Sequence, residues 1–305
     1  MKKHRGRHLL SLLASAALLA SLLPAAFAAE AEGEKHITIL GTSDMHGNIW
    51  GYSYEDNAEP DNNGMARLYT YIQQVRAENP NTFLVDAGDD IQGTIMTDDL
   101  YNKTPEEPHP VVTAMNYMGY DAMTLGNHEF NFSMDVQQHY IDILGDETDK
   151  YPGSPVELLV ANYINVDSQQ PQLKPYTTRT YQVGGKQFKV GIIGFENVNV
   201  PNWDPASHYE GADFVHADNT ERSYAYEWEH YWQKVLKEDE KCDFVIVMAH
   251  SGEGAGAYGA GEETFGEVTS AFSAEDQVYH LVENTTRLDL VVAGHNHKVG
   301  GSTHP

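Results

Sequence analysis

The chain has 305 residues, 41% hydrophobic and 21% charged, enough to bury a large core and too mixed for a disordered, collagen-like or coiled-coil chain. With 19 Lys and Arg against 45 Asp and Glu, its formal charge of -26 excludes a protein that coats nucleic acid or docks by charge on anionic lipid. The single cysteine, Cys242, excludes an internal disulfide and a paired-cysteine zinc site.

Residues 1–28 read as a secretory signal peptide. Lys2, Lys3, Arg5 and Arg7 precede an apolar run from Leu9 to Leu23, and Ala26-Phe27-Ala28 supplies an A-x-A-like cleavage site. The run is about 15 residues, short of the ~20 that span a bilayer, and no cysteine follows it to take a lipid. The segment carries no acidic residue, so a mature chain is more acidic still.

After a short tail, 29–35, strands alternate with helices. His36–Leu40 reads as a strand. Met65–Glu78 reads as a helix with Leu68, Tyr71, Ile72 and Val75 on one face. Thr82–Val85 is a buried strand, and Pro110 opens a short helix marked by Val111, Val112, Met115 and Met118. Ala122–Leu125, Leu158–Val160 and Val190–Ile193 follow as strands. Gly184-Gly185 marks a hairpin between Thr180–Val183 and Lys186–Ile193. Asp218 and Glu221 form a cap-like pair before a long helix reaching about Lys237. Phe244–Met248 and Leu288–Val292 are further core strands, with a helix from Ala274 to Glu283 between them and Ser273 as its N-cap. The alternation predicts one α/β domain over residues 36–305, with ligands gathered beyond the carboxyl ends of strands.

Five apolar runs stop at residues of one chemical kind. After Ile39-Leu40 come Asp44 and His46; after Leu84-Val85 come Asp86, Asp89 and Asp90. After Thr124-Leu125 come Asn127, His128 and Glu129; after Val247-Met248 comes His250; after Val291-Val292 come His295 and His297. Singly, each could cap a turn or sit satisfied in a loop; the recurrence points to metal coordination. Imidazole, carboxylate and amide oxygen suit divalent ions such as Mn, Zn, Fe or Co. Seven such side chains hold two ions if one Asp bridges, and paired ions ~3.5–4 Å apart polarise a phosphoryl group and activate water. Two divalent ions against two ligand carboxylates leave the site locally cationic within an acidic protein, which admits a small anionic phosphate.

Asp44-Met45-His46, Gly88-Asp89, Gly126-Asn127-His128-Glu129, His250 and Gly294-His295-Asn296-His297 resemble the five blocks of the calcineurin-like metallophosphoesterases, across residues 36 to 300. The resemblance implies a β-sandwich flanked by helices, with the metal site at the carboxyl ends of strands. It implies one ion on Asp44, His46, Asp89 and His297 and another on Asp89, Asn127, His250 and His295, the pair drawn from Mn, Zn, Co, Fe or Mg. His128 would stabilise developing charge and protonate the leaving oxygen. Within the family the chain is similar to the secreted 5'-nucleotidase group. Asp89-Asp90-Ile91-Gln92-Gly93-Thr94, Gly126 to Phe132 and Trp203-Asp204 are similar to its 2',3'-cyclic-nucleotide 2'-phosphodiesterase/3'-nucleotidase branch. Asn131 stands where the 5'-nucleotidases pair an Asp with the histidine, which tilts the expected substrate toward 2',3'-cyclic nucleotides and 3'-nucleotides.

The expectation is thus a monomeric, secreted or cell-envelope phosphoesterase acting on small nucleotides, not on nucleic-acid polymers, and without a membrane span after signal cleavage. Its rivals are a 5'-nucleotidase or nucleotide-sugar hydrolase with the same site, and a non-catalytic surface protein that binds metal or nucleotide. Relatives of this branch continue into further strands and a base-recognition domain. The chain stops eight residues after His297, at Pro305, so it is expected to be incomplete, and no substrate-binding residues are named. Three other features read as structural. The G-x-G-x-x-G at Gly254–Gly259 lacks a following apolar helix; the aromatics Tyr224 to Trp232 fit core packing; Cys242 fits a small buried hydrophobe.

Overall fold

The computed structural model describes residues 36–54, 56–59, 63–103, 108–144, 155–215, 230–252, 276–282 and 285–298. The signal segment, the Asp218/Glu221 pair, Ser273, the G-x-G-x-x-G stretch and the aromatics 224–228 lie outside them.

Two four-stranded sheets stack face to face. The first is β1 (Thr38–Thr42), β2 (Thr82–Asp86), β3 (Ala122–Met123) and β4 (Glu157–Leu158), parallel throughout and in that spatial order. The second runs β10 (Leu290–Ala293), β9 (Phe244–Ala249), β7 (Lys186–Phe195) and β6 (Tyr176–Val183). Its first three strands are parallel, and β6 pairs antiparallel with β7 through the Gly184-Gly185 turn. A small antiparallel pair joins β5 (Tyr163–Asn165) to β8 (Ala212–Phe214). No helix among the described residues is long and apolar enough to cross a membrane.

Alternation along each strand divides its side chains between two cores. On β2, β7 and β9, Phe83, Val85, Val190, Ile192, Ile246 and Met248 meet between the sheets. Ile193, Val245 and Val247 face outward, onto Leu236 and Leu281. Leu84 turns the other way, into a core shared with Ile72, Met115 and Tyr140. Those three come from α1 (Met65–Glu78), α2 (Pro110–Met118) and α3 (Met134–Leu144). Both sheet faces are covered, which is why the central strands read as continuous apolar runs. The family-implied sandwich flanked by helices is the observed fold.

Helix α2 starts on Pro110 and ends at Gly119, whose φ of 70° is the left-handed C-cap. Its terminal carbonyls, on Met118 and Gly119, accept from the Arg76 guanidinium of α1, at 2.5 and 2.6 Å. Helix α3 was not predicted; its buried Val136, Tyr140, Ile143 and Leu144 keep helical spacing, interrupted by polar neighbours. Strand β1 lies two residues later than expected, and β3 holds two residues instead of four, because the chain leaves the sheet early to build the loops beyond it.

At Gly194 of β7 the sandwich closes most tightly. Its carbonyl accepts from the Ala161 amide at 2.8 Å, and a Cβ there would lie 1.7 Å from the Leu159 carbonyl oxygen. Relief requires backbone movement between packed strands. Gly194→Ala should therefore lower the unfolding free energy by about 3 kcal/mol or more, read from urea denaturation of the metal-free protein. An unchanged midpoint would show that the seam is looser than this.

Candidate metal centre

Parallel registers bring strand ends to one edge. Thr42 pairs with Asp86 and Asp86 with Met123, while Ala293 and Phe195 both pair with Ala249. All five predicted strand ends open onto this edge. The loop after β1 stays laced to the loop after β2: Asp44 N–H to Gly88 O, 2.8 Å; His46 N–H to Asp89 O, 3.0 Å; Gly47 N–H to Asp90 O, 2.7 Å. The sheets are also joined here, His250 Nδ1 donating to Ala87 O at 2.7 Å.

The seven proposed ligands come together as two adjoining groups. In one, donor atoms of Asp44, His46 and His297 lie within 4.8 Å of one another. His46 Nε2 and His297 Nε2 are 2.9 Å apart, and His297 Nε2 is 3.4 Å from Asp44 Oδ1. In the other, Asp89, His250 and His295 meet the same criterion. His250 Nε2 is 3.0 Å from Asp89 Oδ2, and Asn127 Oδ1 lies 3.1 Å from His250 Nε2 and 2.9 Å from His295 Nδ1. The His295 amide donates to both Asp44 carboxylate oxygens, at 3.0 and 3.1 Å, linking the groups. Nδ1 of His46 donates to Gln92 O at 2.9 Å, as Nδ1 of His250 does to Ala87 O. Each ring in its neutral form therefore turns the Nε2 lone pair inward, the tautomer a metal needs. Nitrogen and oxygen donors converging without thiolates fit borderline or hard divalent ions.

The backbone is strained where these donors sit. Of the eight non-glycine residues with positive φ among the described residues, five are Asp44 (53°), His46 (46°), Asp89 (65°), His295 (87°) and His297 (51°). Such conformations cost on the order of 1 kcal/mol or more each and need a surrounding structure that enforces them. Glu129 supplies much of that enforcement. Buried, it accepts from the amides of Gly126 (2.6 Å), Asp89 (2.9 Å), Asp90 (2.7 Å) and Ile91 (3.1 Å). Gly126 allows the loops to close, since a Cβ there would sit 2.3 Å from Asp89 Oδ1 and 2.7 Å from His250 Cε1.

Carboxyl groups are concentrated beneath the site. Burial pushes Asp86 up to about 7, against hydrogen bonds from Thr42 and Gly88. Burial and neighbouring carboxylates hold Asp90 well above the usual range and raise Glu129. Burial works against charge on Asp89 and His250 as well, but each stabilises the other: Asp89 is held below the usual carboxylate range and His250 above the usual imidazole range. Without metal, the Asp89 carboxylate therefore favours a proton on His250 where an ion would bind.

His128 stands beside the two groups and in neither. Its amide donates to Asp89 Oδ1 at 2.8 Å and its Nε2 is 3.9 Å from Asp89 Oδ2. Its Nδ1 is 2.6 Å from Asn131 Oδ1, and Asn131 Nδ2 donates to Asp204 Oδ1 at 3.0 Å. Trp203 stacks on His295 with ring centroids 5.5 Å apart and planes 23° from parallel. The positions of Trp203 and Asp204 were visible only as a motif, and the Glu129 clamp was not anticipated. Cys242 is buried in the outer core of the second sheet, its thiol pushed up by burial, and Trp232 packs against the same core beside Tyr176. Tyr231 is exposed.

Residues 37–299 match the calcineurin-like phosphoesterase family. The chain is 32% identical over 280 residues to the trifunctional nucleotide phosphoesterase YfkN of Bacillus subtilis, aligning 86% of this chain with 16% of that protein. It is 30% identical over 292 residues to the 2',3'-cyclic-nucleotide 2'-phosphodiesterase/3'-nucleotidase of Salmonella typhimurium, covering 93% of this chain and 40% of that one. The chain therefore spans less than half the length of these relatives. The crystal structure of Bacillus subtilis YfkN superposes with a TM-score of 0.69 at 28% identity, over 88% of this chain and 75% of the other.

Two outcomes follow from the geometry. Glu129→Gln replaces one acceptor oxygen with a donor facing buried amides, so it should weaken Mn2+ binding about 10–100-fold, measured by titration calorimetry of protein with a native circular-dichroism spectrum. Because a ligand imidazole must be neutral, metal uptake should release the His250 proton, and affinity should rise with pH through neutrality. Calorimetry at pH 7.5 in two buffers of different ionisation enthalpy reads that proton; buffer-independent heats would contradict the assignment.

Proposed function

The chain belongs to the calcineurin-like phosphoesterase family, and we propose that it is an exported two-metal hydrolase of nucleotide phosphate esters, with 2',3'-cyclic nucleotides and 3'-nucleotides as substrates. One observation carries the reading: seven nitrogen and oxygen donors converge from five strand ends, and a histidine outside both groups faces them.

Asp44, His46 and His297 would hold one ion, Asn127, His250 and His295 the other, and Asp89 both. When bound, the pair would polarise the phosphoryl group and lower the pKa of water. The remaining chemistry belongs to the chain. Hydrogen bonds from Nδ1 of His46 and His250 to backbone carbonyls fix the rings, so no reorientation is needed on binding. Glu129 and the laced loops keep the donors in place at strained φ. His128, 37% exposed at its side chain, presents Nε2 toward the same space and would give its proton to the departing ribose oxygen. Asn131 would hold His128 Nδ1 throughout, so the ring that has lost its proton stays in position.

The neutral Asn131 beside His128 and the likeness to proteins named for 2',3'-cyclic and 3'-nucleotides support that substrate class. The apolar leader at residues 9–23 behind four basic residues supports export.

Three assays test the reading. With Mn2+ or Co2+, phosphate release from 2',3'-cyclic AMP and 3'-AMP should exceed that from 5'-AMP and vanish with chelator; a preference for 5'-AMP would assign the site to a 5'-nucleotidase. His128→Ala should keep its metal while losing about 100-fold or more in kcat, and unchanged turnover would remove the acid role. Asp89→Ala should lose both ions by elemental analysis of gel-filtered protein; a variant retaining two per chain would refute the bridge.

A further inference from the structure

The acid histidine is backed by an asparagine, and the asparagine by a carboxylate from a distant segment. Asp204 is the C-cap of a one-turn helix, α4 (Val200–Trp203), and its amide donates to Val200 O at 2.9 Å. Its side chain is 5% exposed, and Oδ1 accepts from Asn131 Nδ2. The segment after it is fastened to the His128 side of the fold twice. His208 Nδ1 donates to Phe130 O at 2.6 Å, and Gln137 Nε2 of α3 donates to His208 O at 2.8 Å. Pro205 lies between these anchors and Asp204, limiting backbone adjustment.

A carboxylate offers only acceptors, whereas an amide offers one acceptor oxygen and one donor nitrogen. Asp204 can therefore face only the nitrogen of Asn131, which leaves the amide oxygen for His128. That oxygen in turn can face only an N–H, so Nδ1 of His128 carries a hydrogen. Nε2 is then the nitrogen that gains or gives the transferable proton, and the neutral ring left behind is already the tautomer that Asn131 holds. With the amide reversed, Nδ1 would be an acceptor. The ring would keep its only hydrogen on Nε2, and giving it away would leave an unstable imidazolate.

We infer that Asp204 is a positioning residue for phosphate-ester cleavage: through Asn131 it sets the amide orientation that fixes His128 as the Nδ1–H tautomer. The carboxylate thus acts on the ring at one remove, by controlling the group that touches it. The catalytic consequence, though not the tautomer, rests on the acid role given to His128 above.

The test uses the full chain labelled with 15N-histidine, in the presence of diamagnetic Zn2+, at a pH where His128 is neutral. The His128 signals are identified by their loss in His128→Gln. Wild type should show the Nδ1–H form. Asp204→Asn is isosteric but no longer dictates which end of the Asn131 amide it meets, so the Nε2–H form should rise to about half. The exchange Asn131→Asp with Asp204→Asn puts the acceptor-only group against Nδ1 and should restore the Nδ1–H form, which a loss of packing would not do. Asp204→Asn should also lower kcat about tenfold on the nucleotide that wild type turns over. p-Nitrophenyl phosphate, whose leaving group needs no proton, should change less than about twofold. An unchanged tautomer in Asp204→Asn, or no recovery in the exchanged pair, overturns the inference. If the tautomer responds as expected but His128→Ala leaves nucleotide turnover intact, the acid role of His128 falls and the positioning by Asp204 stands.

Discussion

Four amide hydrogens converge on the carboxylate of Glu129, and the site edge is organised around that convergence. The amides belong to two loops, one after β2 and one after β3, whose backbone could not otherwise be buried there without losing hydrogen bonds. A buried carboxylate near Asp86, Asp89 and Asp90 is unfavourable in itself, and the amides are what make it tolerable. The loops are fastened in the reverse direction too, because Asp89 accepts from the His128 amide. Reciprocal capture holds Asp89 and Asn127, from different loops, against the same nitrogen of His250, Nε2.

The same edge shows how donor residues tolerate unfavourable backbone. Asp44, His46, Asp89, His295 and His297 take conformations that β-branched residues would resist, and Asp and His are among the side chains that enter that region more readily. Local turns aim the side chains inward, and the cross-loop hydrogen bonds from Asp44, His46 and Gly47 to the β2 loop supply the restraint. The choice of Asp and His therefore answers two demands, ligand chemistry and backbone geometry.

Much of this was legible in the order of residues, for a physical reason. Strands buried on both faces appear as short apolar runs, and each predicted ligand follows such a run within a few positions, as after Val247-Met248 or Val291-Val292. What stayed hidden depends on contacts that periodicity does not encode. Strands β5 and β8 have three residues each, too few to show a period. Helix α3 hides its apolar stripe among Gln137, Gln138 and His139. Asp204 reaches Asn131 across 73 positions, and a glutamate next to a histidine gives no sign that it will clamp four amides.

One group of donors joins the two extremes of the described fold. His46 and His297, like Asp44 and His295, are 251 positions apart, and they belong to loops that follow β1 and β10. Contacts of such separation form late, after the entropy of closing a long stretch of chain has been met. An ion held there would act as a latch between different sheets, resisting the local opening in which β10, at the edge of the sheet among the described residues, peels away from β9. Occupancy of the centre and integrity of that edge would then rise and fall together.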